Sequence, residues 1–328
     1  MIHIDKALQL TNENIRIALV GANIGIQQAT SHLTKSTGKG IRALLLITAA
    51  ADTHGYVHND AIKAAAALEI LHLASLVHDD VMDNADTRRG VSTLHKKFDA
   101  KTAVICGDYL LSLSLSMALD MDQERLKYYN QDNISLLPHF SRALSNLCKG
   151  EYDQHINLGN LNIDLFTYLK IISGKTASLF YVACYAGAIL GQESDETARL
   201  LGKFGRCLGM IFQIADDCKD YEWTEKTAKK PVASDIKNKV ITLPLILAMR
   251  KNKDLRNLAH TAMQMQNNTQ VFVESLKNAD GTKDAWLIAK RYELWAKKCI
   301  EGIAQSKKET LYQILQTCME SFTNNQTL

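Results

Sequence analysis

Three aspartates in the pattern D-D-x-x-D occur twice in this chain, as Asp79-Asp80-Val81-Met82-Asp83 and as Asp216-Asp217-Cys218-Lys219-Asp220. At the helical period, the first and third Asp of each copy lie one turn and about 40° apart. Three carboxylates on one helical arc repel one another unless cations sit among them. Both copies follow apolar sequence, Leu73-Ala-Ser-Leu-Val77 and Leu208-Gly-Met-Ile-Phe212, which argues against a merely solvated acidic face. Carboxylates at the edge of a core suit hard, oxygen-binding cations such as Mg²⁺, shared with the phosphates of a substrate.

The residues around the two copies extend that chemistry. His72 and His78 precede the first, and Arg88-Arg89-Gly90 follows it; guanidinium forks beside metal-binding carboxylates match the needs of a diphosphate. Gln213, one turn before Asp216, falls on the acid face and can donate to a phosphate oxygen. Phe212 is by type a core residue and by position a π face for a cation. Gly38-Lys39-Gly40-Ile41-Arg42 reads as a helix start, where free N–H groups favour anions. Ser173-Gly174-Lys175-Thr176 looks like the end of a nucleotide P-loop, but that motif needs glycine at 169, where Leu169 stands. Lys229, Lys230 and Lys239 would singly be surface charges; their interest lies in their neighbours.

The elements that must position these groups read as helices. Apolar residues recur at i, i+3, i+4 and i+7 over Ala61–Met82, Ala103–Leu119, Leu165–Leu190, Glu196–Trp223 and Thr242–Met249, and Ala285–Phe322 holds two more helices. Breaks fall at Thr37-Gly38, Thr87–Gly90, Gly159–Asp164, Gln192–Asp195 and Asn278–Thr282. No alternating strand pattern bounded by hairpin signals is found. The expected fold is all-α, a helical bundle around a central cavity, with Ala183, Ala186, Gly187 and Gly191 letting helices approach closely. Three prolines and no Pro/Gly/Ser-rich linker give no domain boundary in 328 residues, so a single domain over 1–328 is expected.

A net charge of +3, with acids and bases mixed, excludes a nucleic-acid surface. Seven scattered cysteines without a C-x-x-C pair read as reduced thiols and not as a zinc site. The N-terminus lacks the pattern of a signal peptide, and no uninterrupted apolar run is long enough for a transmembrane segment, so a cytoplasmic protein is expected.

With both aspartate motifs in view, the chain resembles the trans-type isoprenyl diphosphate synthases, or polyprenyl synthetases. The series continues with G-K-x-x-R at 38–42, R-R-G at 88–90, G-D-x-L at 107–110, G-E-x-x-Q at 150–154 and K-T at 175–176. F-Q-x-x-D-D at 212–217 and K-P-x-x-S-D and K-x-T-L-P within 230–244 complete it. The resemblance spans roughly residues 35–250. Ala43 replaces a common Pro, Lys229 a common Gly, and the end at Thr323–Leu328 lacks the basic tail of some members.

The resemblance implies head-to-tail condensation of isopentenyl diphosphate with an allylic diphosphate, farnesyl or geranylgeranyl diphosphate being the expected primer. It implies about three Mg²⁺ ions on the allylic diphosphate, held by Asp79, Asp83 and Asp216 and supported by Asp80, Asp217 and Asp220. Arg88, Lys175, Thr176, Gln213, Lys230 and Lys239 would contact that diphosphate, and Lys39, Arg42, His72 and Arg89 would hold isopentenyl diphosphate. Asp79, Asp80, Asp83, Lys175, Gln213 and Asp216 form the implied catalytic set. On this reading the two motifs are the jaws of one ionising site.

Ser75 and Ala74, four and five residues before Asp79, are small where short-chain farnesyl-type members carry an aromatic residue. A product of about six to eight isoprene units is therefore expected, with Leu71 and Leu68 deeper along the same ridge. Leu71–Asp83 looks most like the large subunit of bacterial heptaprenyl synthases, which implies a homodimer or a heteromer with a small regulatory subunit. The alternatives are a short-chain farnesyl or geranylgeranyl diphosphate synthase, a class I terpene cyclase, or a non-catalytic regulatory subunit. A cyclase usually replaces the second aspartate motif, and a regulatory subunit tends to lose metal-binding aspartates; neither change is present.

Overall fold

The computed structural model describes residues 1–20, 24–33, 40–129, 135–222, 233–264 and 269–320, with the backbone alone at 125–129, 222 and 269. Helices α1 (Ile4–Val20), α2 (Ile24–Leu33), α3 (Ile41–Ala50), α4 (Asn59–Met82), α5 (Leu94–Lys97), α6 (Ala100–Tyr129), α7 (Leu137–Ile156) and α8 (Leu165–Ile172) come first. Then follow a π-helical segment, Ser173–Ala177, and α9 (Ser178–Leu190), α10 (Asp195–Glu222), α11 (Ser234–Lys237), α12 (Leu243–Lys251), α13 (Leu255–Gln264), α14 (Thr269–Asn278), α15 (Gly281–Cys299) and α16 (Gln305–Glu320). The fold is all-α, as expected.

Three local expectations change. Leu165–Leu190 is not one regular helix, because the π-helical turn at 173–177 interrupts it. The first half of α6 is as predicted, but the helix runs on to Tyr129. Strand pairing is present after all, in two ladders of two residues per strand: β1 (Ile2–His3) with β2 (Tyr56–Val57), and β3 (Thr87–Arg88) with β4 (Val91–Ser92). Two residues per strand are too few for an alternating pattern to register.

The chain divides into two compact units. One comprises Met1–Leu144, Leu179–Gly205 and Gly302–Leu311; the other comprises Ser145–Ser178, Arg206–Glu301 and Tyr312–Leu328. In the first, α4 is apolar on nearly every side and is accordingly buried by α1, α3 and α6. Gly187 and Gly191 let α9 press on α3: a Cβ at Gly187 would lie 2.3 Å from the Leu46 carbonyl oxygen. Buried Lys307 donates to the Ala49 carbonyl at 2.9 Å and pairs with Glu193 at 2.5 Å. In the second unit, Gly281 opens α15 against α12, and Pro244 sits in the first turn of α12, where its missing N–H costs nothing.

By length and composition two helices, Asn59–Met82 and Ala100–Glu124, are apolar enough to cross a bilayer; the first is 67% buried inside the protein and the second 33%.

Candidate active site

In the first unit, α4 carries the first aspartate motif on its last turns. Asp79 and Asp80 are 100° apart around the helix, so they face different surroundings: Asp79 is partly buried, Asp80 buried and Asp83, the C-cap, exposed. Asp80 Oδ1 accepts from both Nε and Nη2 of Arg88 at 2.8 Å. Arg88 reaches it because the chain reverses immediately in the β3–β4 hairpin, whose two-residue turn is Arg89-Gly90 with φ of 53° and 78°. Positive φ at both positions is the turn that suits strand twist; glycine takes it freely, and Arg89 holds it at a cost.

Arg88 and Arg89 thereby join Arg42 and His72. Gly40, at φ 60°, precedes α3 and starts the helix so that Arg42 points inward. Arg42 is 9% exposed, its guanidinium lies 4.8 Å from the centre of the Phe180 ring, and its Nε has no hydrogen-bond partner among the described residues. Burial pulls its pKa down to about 10, Glu69 opposing and Arg89 adding to the fall. Burial, followed by Arg42, Arg88 and Arg89, holds the His72 imidazole well below its usual range and therefore neutral at pH 7. Burial and then Arg88 also lower Arg89. Three arginines beside a neutral histidine form a pocket of positive potential with Glu69 as a counter-ion, which suits a multiply charged anion.

Of the expected chain-length residues, Leu68, Leu71, Ala74 and Ser75 are all buried. They do not share one surrounding. Ala74 packs in a cluster with Ile70, Val77, Ala103, Cys106 and Leu110, against α6. Ser75, on the Asp79 side of α4, donates to the His72 carbonyl at 2.8 Å. His78 approaches Asp108 at 3.3 Å, over Gly107, where a Cβ would lie 2.3 Å from the ring.

In the second unit, α10 carries the second motif. Asp216 is exposed and Asp217 buried. Asp217 accepts from the Tyr168 hydroxyl at 2.5 Å and from Gln213 Nε2 at 2.8 Å, while Thr176 Oγ1 donates to Gln213 Oε1 at 2.6 Å. Burial raises the Asp217 carboxyl to about 7; those two hydrogen bonds oppose the rise and Asp216 and Asp220 add to it. Asp220 is tied to the start of α11, accepting from the Ser234 N–H and hydroxyl and from the Asp235 N–H at 2.8–3.0 Å.

Lys175 lies in the π-helical segment and pairs with both oxygens of Glu151, at 2.8 and 2.9 Å. Gly150 makes this possible: a Cβ there would come 2.3 Å from the Lys175 backbone nitrogen. Lys239 is exposed at φ 61°, its carbonyl accepting from the Gly159 N–H at 2.7 Å. Lys39 and Lys230 lie outside the described residues.

Glu69, Phe180 and Tyr168 belong to no motif in the sequence, whereas Glu151 is the acid of G-E-x-x-Q. Among the described residues no three His, Cys, Asp or Glu side chains converge into a metal site of their own. The donor set of each motif is nonetheless of the right kind for Mg²⁺, which binds through one or two carboxylates plus water and substrate phosphates; Asp83 in the first unit and Asp216 in the second are each exposed.

Comparison with known proteins agrees with this chemistry. The family model of the polyprenyl synthetases matches residues 24–279. Heptaprenyl diphosphate synthase component 2 of Bacillus subtilis is 32% identical over 81% of this chain and 74% of its own length. Geranylgeranyl diphosphate synthase of Sulfolobus acidocaldarius is 28% identical over 95% and 91%. The solved heptaprenyl diphosphate synthase of Staphylococcus aureus superposes with a TM-score of 0.86 at 29% identity, covering 99% of both chains.

Proposed function

The chain belongs to the polyprenyl synthetase family of trans-type prenyl diphosphate synthases and is a prenyltransferase, and from that premise we propose that it extends an allylic diphosphate with isopentenyl diphosphate to a long all-trans product of about six to eight isoprene units. The observation that carries the reaction is the pocket of Arg42, His72, Arg88 and Arg89 beside Asp80, on the helix that ends in Asp79 and Asp83. The product length rests on the small, buried Ala74 and Ser75.

Asp79, Asp83 and Asp216 would hold Mg²⁺, which when bound supplies Lewis-acid stabilisation for a departing diphosphate. Arg42 and Arg89, with Lys39, would hold isopentenyl diphosphate, the neutral His72 adding a hydrogen bond instead of a further charge. Arg88 and Lys175, with Lys230 and Lys239, would contact the allylic diphosphate. Glu151 fixes the Lys175 ammonium, and the Tyr168–Asp217–Gln213–Thr176 chain fixes α10 beneath Asp216. Asp80, Asp217 and Asp220 act by positioning. Apolar walls would keep water from the allylic cation while the isopentenyl double bond attacks it, and the proton then lost from the condensed product would pass to the released diphosphate.

We place the enzyme in the cytoplasm as a homodimer, or as the large chain of a heteromer; the word "component" in the Bacillus subtilis relative's name supports testing a partner. Purified protein given Mg²⁺, labelled isopentenyl diphosphate and farnesyl diphosphate should yield, after dephosphorylation, alcohols well beyond twenty carbons. No elongation with or without a partner extract overturns the reaction; products stopping at fifteen or twenty carbons overturn the length.

A further inference from the structure

Helix α15 buries Ala285, Ala289, Glu293 and Ala296. Opposite them, Leu287, Leu294 and Trp295 are each at least half exposed. At 100° per residue they share an arc of about 120° with Lys283, Arg291 and Lys298, all exposed. Lys290 and Lys297 flank that arc. The acids of the helix leave Arg291 and Lys298 uncancelled and Lys283 only loosely paired. Glu293 turns inward and is held by Lys290 at 2.8 Å and Lys297 at 2.7 Å, and Asp284 is paired with Lys251 at 2.6 Å. Lys283 lies 3.9 Å from Asp280, and neither Arg291 nor Lys298 makes an ion pair with a described residue.

We propose that this face docks the protein on an anionic membrane surface, α15 lying in the plane of the lipid headgroups. Three large apolar side chains, one a tryptophan, can enter the headgroup–acyl boundary, where an indole finds both an apolar bed and a partner for its N–H. The lysine and arginine stems lie along the same surface and deliver their charges to lipid phosphates. Charge complementarity selects the occupant: a cluster of cations around leucine and tryptophan, with its acids neutralised from behind, matches a continuous sheet of negative charge. The proposal reaches beyond the prenyl-transfer reading and is tested without turnover.

The full chain is floated with vesicles of equal parts phosphatidylcholine and phosphatidylglycerol, and with phosphatidylcholine alone, at low and high salt. Wild type should float with the anionic vesicles, be released by salt and stay behind with the neutral ones. Lys283→Glu/Arg291→Glu/Lys298→Glu should lower partitioning about a hundredfold or more, and Leu294→Ser/Trp295→Ser should also lower it, each with an unchanged melting temperature. Should the charge-reversed variant fail to fold, Arg291→Gln/Lys298→Gln gives a graded, roughly thirtyfold loss. Wild type that ignores anionic vesicles or binds neutral ones equally, or variants that bind like wild type, would overturn the proposal. So would variants that change the mass of the assembly while vesicle binding is unaltered, which would make the face a protein interface.

Discussion

At the end of α4 the middle aspartate faces a permanent cation; at the end of α10 its counterpart faces two neutral donors. Asp80 takes the Arg88 fork, whereas Asp217 takes one O–H from Tyr168 and one N–H from Gln213, and burial lifts it to about 7. The third aspartates differ as well, Asp83 being exposed at a helix end and Asp220 bound to the N–H groups that open α11. A repeated letter pattern therefore covers unequal duties. What the copies share follows from helix geometry: the second Asp turns inward and braces the helix, leaving the first to the outer side.

The sharpest way to break the comparison is to remove the outer carboxylates. Asp79→Asn and Asp216→Asn should each lower kcat by about a thousandfold with melting temperatures near wild type; a loss confined to one of them would show that only one copy serves catalysis. Next come the glycines beside each site. Gly150→Ala drives a Cβ into the Lys175 backbone and should cost about 2–3 kcal/mol in urea unfolding. Gly107→Ala meets only the His78 ring, which can turn away, and should cost under about 1 kcal/mol.

Within the motifs, Asp80→Asn weakens a charge-assisted fork and should cost about 1–2 kcal/mol. Asp217→Asn removes a hydrogen bond together with a buried charge and should cost under about 1 kcal/mol. Equal losses in chemical denaturation would erase the distinction between the two braces. A further effect concerns pH. His72 is neutral in the fold but takes a proton near the ordinary imidazole value of 6.5 once unfolded. The unfolded chain thus binds more protons below that pH. Stability is therefore full above it and falls as pH drops, by at most about 1.4 kcal/mol per unit. His72→Gln should flatten that part of a stability-against-pH curve.

Much of this was legible in sequence for a physical reason: residues spaced by a helical turn reveal their common face without a partner. Asp79 with Asp83 and the close approach at Gly187 and Gly191 are of that kind. The pairings Tyr168–Asp217 and Lys175–Glu151 join residues 49 and 24 apart, and nothing local announces them. Gln213 shows the same limit. Its face was legible, but its partners Thr176 and Asp217 within the fold were not. The division into two units left no trace, because four of its five limits fall within α7, α9, α10 and α16, and the fifth, at Glu301 and Gly302, falls in the short turn between α15 and α16, where no linker chemistry occurs.

The π-helical turn at Ser173–Ala177 has a consequence for how the chain tolerates insertion and deletion. One extra residue in a turn sets everything after it back by about 100° relative to an uninterrupted α-helix. The phase of α9, including the side that Gly187 and Gly191 press on α3, is thus decoupled from that of α8. Deleting a single residue in that turn would leave both helices helical and rotate one against its neighbours. A frame error of one residue here acts as a misaligned gear, displacing contacts far along the shaft while the teeth stay whole.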